Sequence, residues 1–201
     1  MKPHISLHNF SISVKDRRKL KNHNSFVLWF TGLSGAGKST IANELEQELY
    51  KIGIHTYCLD GDNVRSGINK DLTFKPKDRN ENIRRVGEIA KLLVDSGIVV
   101  LATFISPYKS NRDAVKNIVG EENYVEIFVN TSLEECERRD VKGLYKKART
   151  GEIMDMTGVT APFEPPEKPN IEINTEGETV SESVKRILEY IRPKLQKNNN
   201  E

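Results

Sequence analysis

Residues 32–39 read Gly-Leu-Ser-Gly-Ala-Gly-Lys-Ser, the spacing of a phosphate-binding loop. Glycines in such a loop let the backbone turn tightly with its N–H groups directed inward, which makes a nest for an anion. Lys38 can reach the β- and γ-phosphates of a nucleoside triphosphate, and the Ser39 hydroxyl can ligate magnesium. We expect the phosphates to contact Gly32, Leu33, Ser34, Gly35, Ala36, Gly37, Lys38, Ser39 and Thr40.

Two carboxylates follow the second predicted strand, in Asp60-Gly61-Asp62, at the same end of the sheet as the phosphate loop. Beside a triphosphate, one carboxylate can help to hold magnesium or its waters, and the other can accept a proton from a substrate hydroxyl. The alternative is a turn whose aspartates cap a helix that begins near Asn63. The position beside the loop favours a kinase. Asp62 is the first choice as the base and Asp60 as a metal ligand with Ser39, although either aspartate could be the base.

Other classes of nucleotide-binding protein lack their signatures in this chain. A regulatory GTPase needs an Asn-Lys-x-Asp guanine-binding motif, and Asn69-Lys70-Asp71 has the wrong spacing. An ATPase of the motor or transporter type needs an acidic residue at the end of a central strand, and the apolar run at 99–104 ends in Phe104. A kinase of some small hydroxyl compound is therefore favoured over a nucleotide switch.

Strands and helices that could position these residues alternate along the chain. Apolar runs predict five strands, at 26–30, 56–59, 98–104, 125–129 and 171–173. Helical periodicity predicts helices between them, including one with Ile41, Leu45, Leu49 and Ile52 facing inward, one over 79–94, and one with Thr131 or Ser132 as its N-cap. This alternation predicts an α/β fold of the P-loop NTPase type: three layers, with a mostly parallel five-stranded sheet and helices on both faces.

A length of 201 residues suits one domain. We expect a kinase domain at 26–195, an N-terminal arm at 1–25 and a polar tail at 196–201. A long irregular connection with prolines predicts a lid at about 145–169. The basic run at 15–21 is interpreted as a solvated helix face or arm, which is more common than a nucleic-acid site.

Composition excludes several partners. A net charge of +2 from 31 basic and 29 acidic residues does not favour nucleic acid. The longest apolar stretch, 98–105, is far shorter than the roughly 20 residues that cross a bilayer, so no membrane is expected.

Cys58 and Cys136 lie far apart, and both are predicted to be small core residues in a reducing compartment. A cytoplasmic protein without a secretory signal is expected.

From about Phe26 to Ile191 the chain resembles the adenylyl-sulfate kinase family. The resemblance rests on LDGDNVR at 59–65, DRNENIRR at 78–85, TFISPY at 103–108, DVKGLYKKAR at 140–149, and Thr157-Gly158. It implies transfer of the γ-phosphoryl group of ATP, with Mg²⁺, to the 3′-hydroxyl of adenylyl sulfate in sulfate assimilation. The products would be 3′-phosphoadenylyl sulfate and ADP. The resemblance also implies a homodimer.

The resemblance further implies which side chains contact the two substrates. A phosphosulfate favours guanidinium groups, and Arg65, Arg79 and Asn82 are expected to bind it and the ribose. Phe74 and Phe163 are expected to provide aromatic faces for the adenine. The other implied contacts are Ile105, Ser106, Lys142 and Leu144 with adenylyl sulfate, and Arg139 near the base of ATP.

Ser106 is the one catalytic candidate with a disputed role. Some members of the family are described as carrying a phosphoserine at the matching position. Direct in-line transfer needs no such intermediate, and the sequence shows no base that would activate Ser106, so a binding role is favoured. Ser106 remains a catalytic candidate beside Asp62, Lys38, Asp60 and Lys142.

The chain departs from the commonest family pattern at Ser66, Thr73, Thr160 and Ala161. All four lie beside expected substrate contacts. They predict altered affinity or altered inhibition by substrate, without a change in the class of reaction.

Overall fold

The computed structural model describes residues 6 and 8–196, so the predicted tail lies almost wholly outside the described residues. One sheet contains β1 (Val27–Thr31), β2 (Thr56–Asp60), β3 (Val99–Thr103), β4 (Tyr124–Asn130) and β5 (Ile171–Asn174). Its order is β2-β3-β1-β4-β5, and every pairing among these strands is parallel. The five predicted strands and their parallel arrangement are confirmed.

Eight α-helices connect or flank the strands in the described part of the chain. They are α1 (Val14–Lys21), α2 (Lys38–Lys51), α3 (Gly61–Ser66), α4 (Pro76–Asp95), α5 (Lys109–Val119), α6 (Leu133–Arg139), α7 (Leu144–Arg149) and α8 (Val180–Leu195). Helix α4 begins earlier than the predicted residue 79 because Pro76 occupies its first turn, where a missing N–H costs nothing.

The core consists of two apolar layers, one on each face of the sheet. Leu28 and Phe30 of β1 face one layer, with α2 and α8, and Val27 and Trp29 face the other, with α4 and α5. All five residues of β1 are buried, as expected for a central strand covered on both sides. The predicted three-layer architecture is confirmed.

Two predictions of burial were wrong at the edges of elements. Ile52 is exposed because α2 ends at Lys51 and the chain turns at Gly53, whose φ of +77° favours glycine. Cys58 is only half-buried because β2 is an edge strand, whereas Cys136 is buried as predicted. Both thiols are free.

The predicted arm contains α1, which lies against the end of α4. Ser13 and Asp16 form a capping box at its start. Arg17 pairs with Asp95 at 3.0 Å, and Arg18 donates to the carbonyl oxygen of Ser25 at 2.7 Å. The basic run is therefore a surface helix attached by polar contacts, in agreement with the favoured interpretation.

The connection from α7 to β5 contains no helix or strand, in agreement with the predicted irregular segment. A small turn within it is closed by a bridge between Thr157 and Ala161. None of the helices in the described ranges is long and apolar enough to cross a membrane.

Candidate active site

The phosphate loop connects β1 to α2 at the carboxyl end of the sheet. Gly32, Gly35 and Gly37 have φ values of +148°, +78° and +102°, which other residues rarely adopt. A Cβ atom at Gly32 would also lie 2.4 Å from the carbonyl oxygen of Val129. Helix α2 begins at Lys38, so its N-terminal amides and positive dipole end adjoin the loop.

Lys38 folds back over the loop. Its side chain is buried, and Nζ donates to the carbonyl oxygens of Gly32 at 3.0 Å and Leu33 at 2.7 Å. Burial lowers the pKa of Lys38 to about 8. An anion in the loop would favour the charged ammonium group, so phosphate binding and protonation of Lys38 are coupled.

Asp60 is held by three hydrogen bonds at the end of β2. Its Oδ2 accepts from the hydroxyls of Ser39 at 2.8 Å and Thr103 at 2.9 Å, and its Oδ1 accepts from the backbone N–H of Asp62 at 3.0 Å. Burial opposes ionisation, but these bonds outweigh it and hold the pKa of Asp60 below its ordinary value. Asp60 therefore caps α3, as the alternative interpretation proposed. Its carboxylate and the Ser39 hydroxyl also lie side by side, which brings together two hard oxygen ligands.

Those ligands fit magnesium better than a metal that needs a protein cage. Among the described residues, no cluster of three or more histidine, cysteine or acidic side chains could hold a metal ion. Mg²⁺ usually keeps several waters and binds one or two protein groups together with substrate phosphates. Ser39 and Asp60 could hold Mg²⁺ in that manner.

Asp62 is in a different environment from Asp60, although only one residue separates them. Its side chain is 69% exposed, and it pairs with Lys142, which is 58% exposed and lies between α6 and α7. Both oxygens of Asp60 already accept hydrogen bonds, whereas Asp62 faces solvent. The geometry favours Asp62 as the group that accepts a proton from a hydroxyl.

Arg65, Phe74 and Arg79 form one cluster near Asp62. The Arg65 guanidinium lies 4.4 Å from the centre of the exposed Phe74 ring, and Arg79 Nε donates to the Phe74 carbonyl oxygen at 2.6 Å. Arg79 also reaches the irregular segment that was predicted to be a lid, where it donates to the Thr157 hydroxyl at 2.7 Å and to the carbonyl oxygen of Asp155. The structure thus joins two predicted arginines and one predicted aromatic residue, and links them to the irregular segment after α7.

The other expected substrate contacts are more scattered. Asn82 is buried, and its Oδ1 accepts from Asn69 at 3.0 Å. The Phe163 ring stacks on Phe128 at 6.0 Å between centroids. The half-buried Ile105 accepts from the Thr31 hydroxyl at 2.7 Å through its carbonyl oxygen, and Leu144 packs partly buried on the core.

Ser106 does not line the site in this arrangement. The residue is 2% exposed, and its hydroxyl accepts from Trp29 Nε1 at 3.0 Å and donates to the Thr31 hydroxyl at 3.0 Å. Its φ of +38° lies in the left-handed region, and Arg112 donates to its carbonyl oxygen at 2.9 Å. The hydroxyl is therefore enclosed in the sheet, which opposes both a direct substrate contact and a nucleophilic role.

Arg139 lies beside the phosphate loop, where it donates to the Gly35 carbonyl oxygen at 3.4 Å. It pairs with Glu135 at 2.8 Å and donates to the Thr175 hydroxyl at 3.1 Å. The Glu135 carboxylate accepts hydrogen bonds from both Arg138 and Arg139. A cavity of about 250 Å³ adjoins the loop here, and its lining includes Thr40, Ile41, Arg139, Val141, Thr175 and Ser183.

Hydroxyl residues at the carboxyl ends of strands were missed by the sequence analysis. Thr103 holds Asp60, and Thr131, considered only as an N-cap, donates to the carbonyl oxygen of Ala36 at 3.1 Å while Ser132 is the cap of α6. Their position after predicted strands was the available signal, because residues at that edge surround ligands.

Comparisons with known proteins show which family this chain resembles. The sequence model of the family described as adenylylsulphate kinase matches residues 24–174. An adenylyl-sulfate kinase of Staphylococcus epidermidis is 51% identical over 94% of this chain and 95% of its own length. One of Oceanobacillus iheyensis is 54% identical over 92% of each chain.

A solved structure is also similar. The APS kinase CysC of Mycobacterium tuberculosis, in complex with AMPPNP and APS, superposes with a TM-score of 0.81 at 40% identity. The match covers 84% of this chain and 98% of that one.

Proposed function

The chain belongs to the adenylylsulphate kinase family, and we propose that its phosphate loop and its two aspartates perform the reaction of that family. The enzyme is an ATP-dependent phosphotransferase that converts ATP and adenylyl sulfate into ADP and 3′-phosphoadenylyl sulfate. The observation that carries the mechanism is the contrast between Asp60, which is bonded to Ser39, and Asp62, which is exposed beside it.

On the ATP side, the loop amides and the N-terminus of α2 bind the phosphates, and Lys38 exchanges its loop carbonyls for β- and γ-phosphate oxygens. Ser39 and Asp60 would hold Mg²⁺, which supplies charge stabilisation to the transferring phosphoryl group. Arg139 and the adjoining cavity hold the nucleobase of ATP.

On the acceptor side, Asp62 orients the 3′-hydroxyl and accepts its proton as the oxygen attacks the γ-phosphorus in line. Lys142 pairs with Asp62 and so lies where it can stabilise charge on the phosphoryl oxygens. Little covalent chemistry is left to the protein, because phosphoryl transfer depends mainly on positioning and charge.

Arg65 and Arg79 bind the phosphosulfate, and Phe74 and Phe163 hold the adenine. The support for this assignment is the cluster of Arg65, Phe74 and Arg79 near Asp62. Ile105, Leu144 and Asn82 border the same substrate, and the Asn82 oxygen also accepts from Asn69. Ser106 acts by holding the turn after β3 through Trp29 and Thr31.

The segment at about 145–169 acts as a lid. Because Arg79 donates a hydrogen bond to Thr157 of this segment, the position of the lid is coupled to the binding of substrate by Arg79. Closure excludes water that could otherwise accept the γ-phosphoryl group.

A direct assay tests the reaction. The protein, ATP, Mg²⁺ and adenylyl sulfate should yield ADP and a product phosphorylated on the 3′-oxygen, separated by chromatography. Adenylyl sulfate that lacks the 3′-hydroxyl should give no product, and EDTA should stop turnover. Much faster phosphorylation of gluconate, shikimate or a nucleoside monophosphate would contradict the assignment.

Assembly, location and domain limits are proposed from the resemblance. We infer a cytoplasmic homodimer with a kinase domain at 26–195, an arm at 1–25 and a tail at 196–201. Two free thiols support a reducing compartment. Light scattering at several concentrations tests the dimer, cell fractionation tests the location, and limited proteolysis tests the domain limits.

A further inference from the structure

Five consecutive carbonyl groups of the phosphate loop accept hydrogen bonds from side chains. The donors are Lys38 to Gly32 and Leu33, the Tyr145 hydroxyl to Ser34 at 2.8 Å, Arg139 to Gly35 at 3.4 Å, and the Thr131 hydroxyl to Ala36 at 3.1 Å. Each bond fixes one peptide plane of the loop.

A fixed carbonyl also fixes an amide. In a planar trans peptide, the carbonyl oxygen and the N–H of the next residue lie on opposite sides of the chain. When the Ser34 oxygen is held on the outer side of the loop, the Gly35 N–H is held toward the inside. Gly35, with φ of +78°, has no side chain that would otherwise restrict this peptide.

Among these donors, Tyr145 is the best suited to hold the loop in place while a nucleotide is bound. Lys38 must release its carbonyls to reach phosphate, and the bond from Arg139 is long. The Tyr145 side chain is only 2% exposed, and its bond to Ser34 is the shortest of those from outside the loop. Its hydroxyl also meets the thiol of Cys136, whose backbone lies directly beneath Gly35.

We propose that Tyr145 is a positioning residue for ATP: its hydroxyl holds the Ser34 carbonyl outward, so that the Gly35 N–H faces the nucleotide phosphates before they bind. Tyr145 belongs to α7, three residues after Lys142. The helix that follows the acceptor-side lysine thus also supports the donor loop. This proposal rests on the proposed function of that loop.

The test is Tyr145→Phe, which removes the hydroxyl and keeps the ring. One lost hydrogen bond should raise the Kd for ADP and the KM for ATP about 3- to 10-fold. The KM for adenylyl sulfate should change by less than about twofold, because no bond on the acceptor side is removed.

Tyr124→Phe is the matched control. Tyr124 is also buried, and its hydroxyl has no hydrogen-bond partner in the described part of the chain. This variant should leave the ADP Kd and both KM values unchanged. A general loss of packing would instead lower the melting temperature and raise both KM values together.

Amide hydrogen exchange gives a second readout that needs no turnover. The Gly35 amide should exchange faster in Tyr145→Phe than in the wild type, whereas Tyr124→Phe should leave it unchanged. An unchanged ADP Kd, or an equal rise in both KM values, would overturn the role of Tyr145. ADP binding by calorimetry does not depend on the acceptor, so failure here is distinct from failure to phosphorylate adenylyl sulfate.

Discussion

The donor half and the acceptor half of the site are constructed differently. In the donor half, Lys38 is 8% exposed, Asp60 accepts three hydrogen bonds, and the loop carbonyls are held by side chains from other elements. In the acceptor half, Asp62 and Lys142 are mostly exposed and pair with each other, and Arg79 bonds to Thr157 of the proposed lid.

This difference separates a rigid site from an adjustable one. ATP enters a loop whose amides are already arranged, so little ordering is needed on binding. In the proposed mechanism, adenylyl sulfate replaces contacts that Asp62 and Arg79 make within the protein. Substitutions in the two halves should therefore affect different kinetic constants.

The largest effect is expected for Asp62→Ala. Loss of a general base should reduce kcat by at least about 100-fold. Because Asp62 makes no side-chain bond to the phosphate loop, the Kd for ADP should stay within about twofold, as measured by calorimetry. Asp71→Ala is the matched control: this exposed carboxylate pairs with Arg85 and should not affect turnover. Near-normal turnover of Asp62→Ala would instead favour Asp60 as the base.

Arg79→Ala should mainly weaken binding of adenylyl sulfate. The substitution removes a guanidinium group and its contact with the lid at Thr157. Loss of charge-assisted bonds should raise the KM for adenylyl sulfate about 30-fold, with a smaller change in the KM for ATP. Arg84→Ala on the same helix is the control, since the ion pairs of Arg84 within the described residues are those with Glu81 and Glu88 on its own helix. Equal increases in the KM for adenylyl sulfate and the KM for ATP would contradict the distinction between the two halves.

The donor half should show a pH dependence of its own. Burial lowers the pKa of Lys38 to about 8 in the free enzyme, and a bound phosphate stabilises the charged form. Binding must then take up a proton above that pH, so ADP affinity in EDTA should fall as pH rises through 8, by up to about tenfold per pH unit. Calorimetry in buffers with different ionisation enthalpies measures the uptake. Lys38→Arg, which cannot deprotonate in this range, should abolish it.

The same contrast explains what the sequence could reveal. The loop residues Gly32 to Ser39 are contiguous, so their spacing alone predicted a phosphate nest. Contacts of the acceptor half join distant residues: Lys142 and Asp62 are 80 apart, and Arg79 and Thr157 are 78 apart. Such pairs have no local pattern: the place of Asp62 after the second predicted strand suggested its role, whereas only the resemblance to a family suggested Lys142 and Arg79. The sheet order, which brings Thr103 beside Asp60, was not predictable from periodicity either.

The smallest effect on turnover is expected for Ser106→Ala, and it tests whether the acceptor half contains a nucleophile. The hydroxyl is bonded to Trp29 and Thr31 inside the sheet, so its loss leaves a buried indole N–H without an acceptor. The free energy of unfolding should fall by about 1–3 kcal/mol, and kcat by less than about tenfold. Denaturant melts and steady-state assays measure the two quantities. Complete inactivity of a folded Ser106→Ala enzyme, with a phosphate found on Ser106 of the wild type by mass spectrometry after incubation with ATP, would instead establish a phosphoserine intermediate.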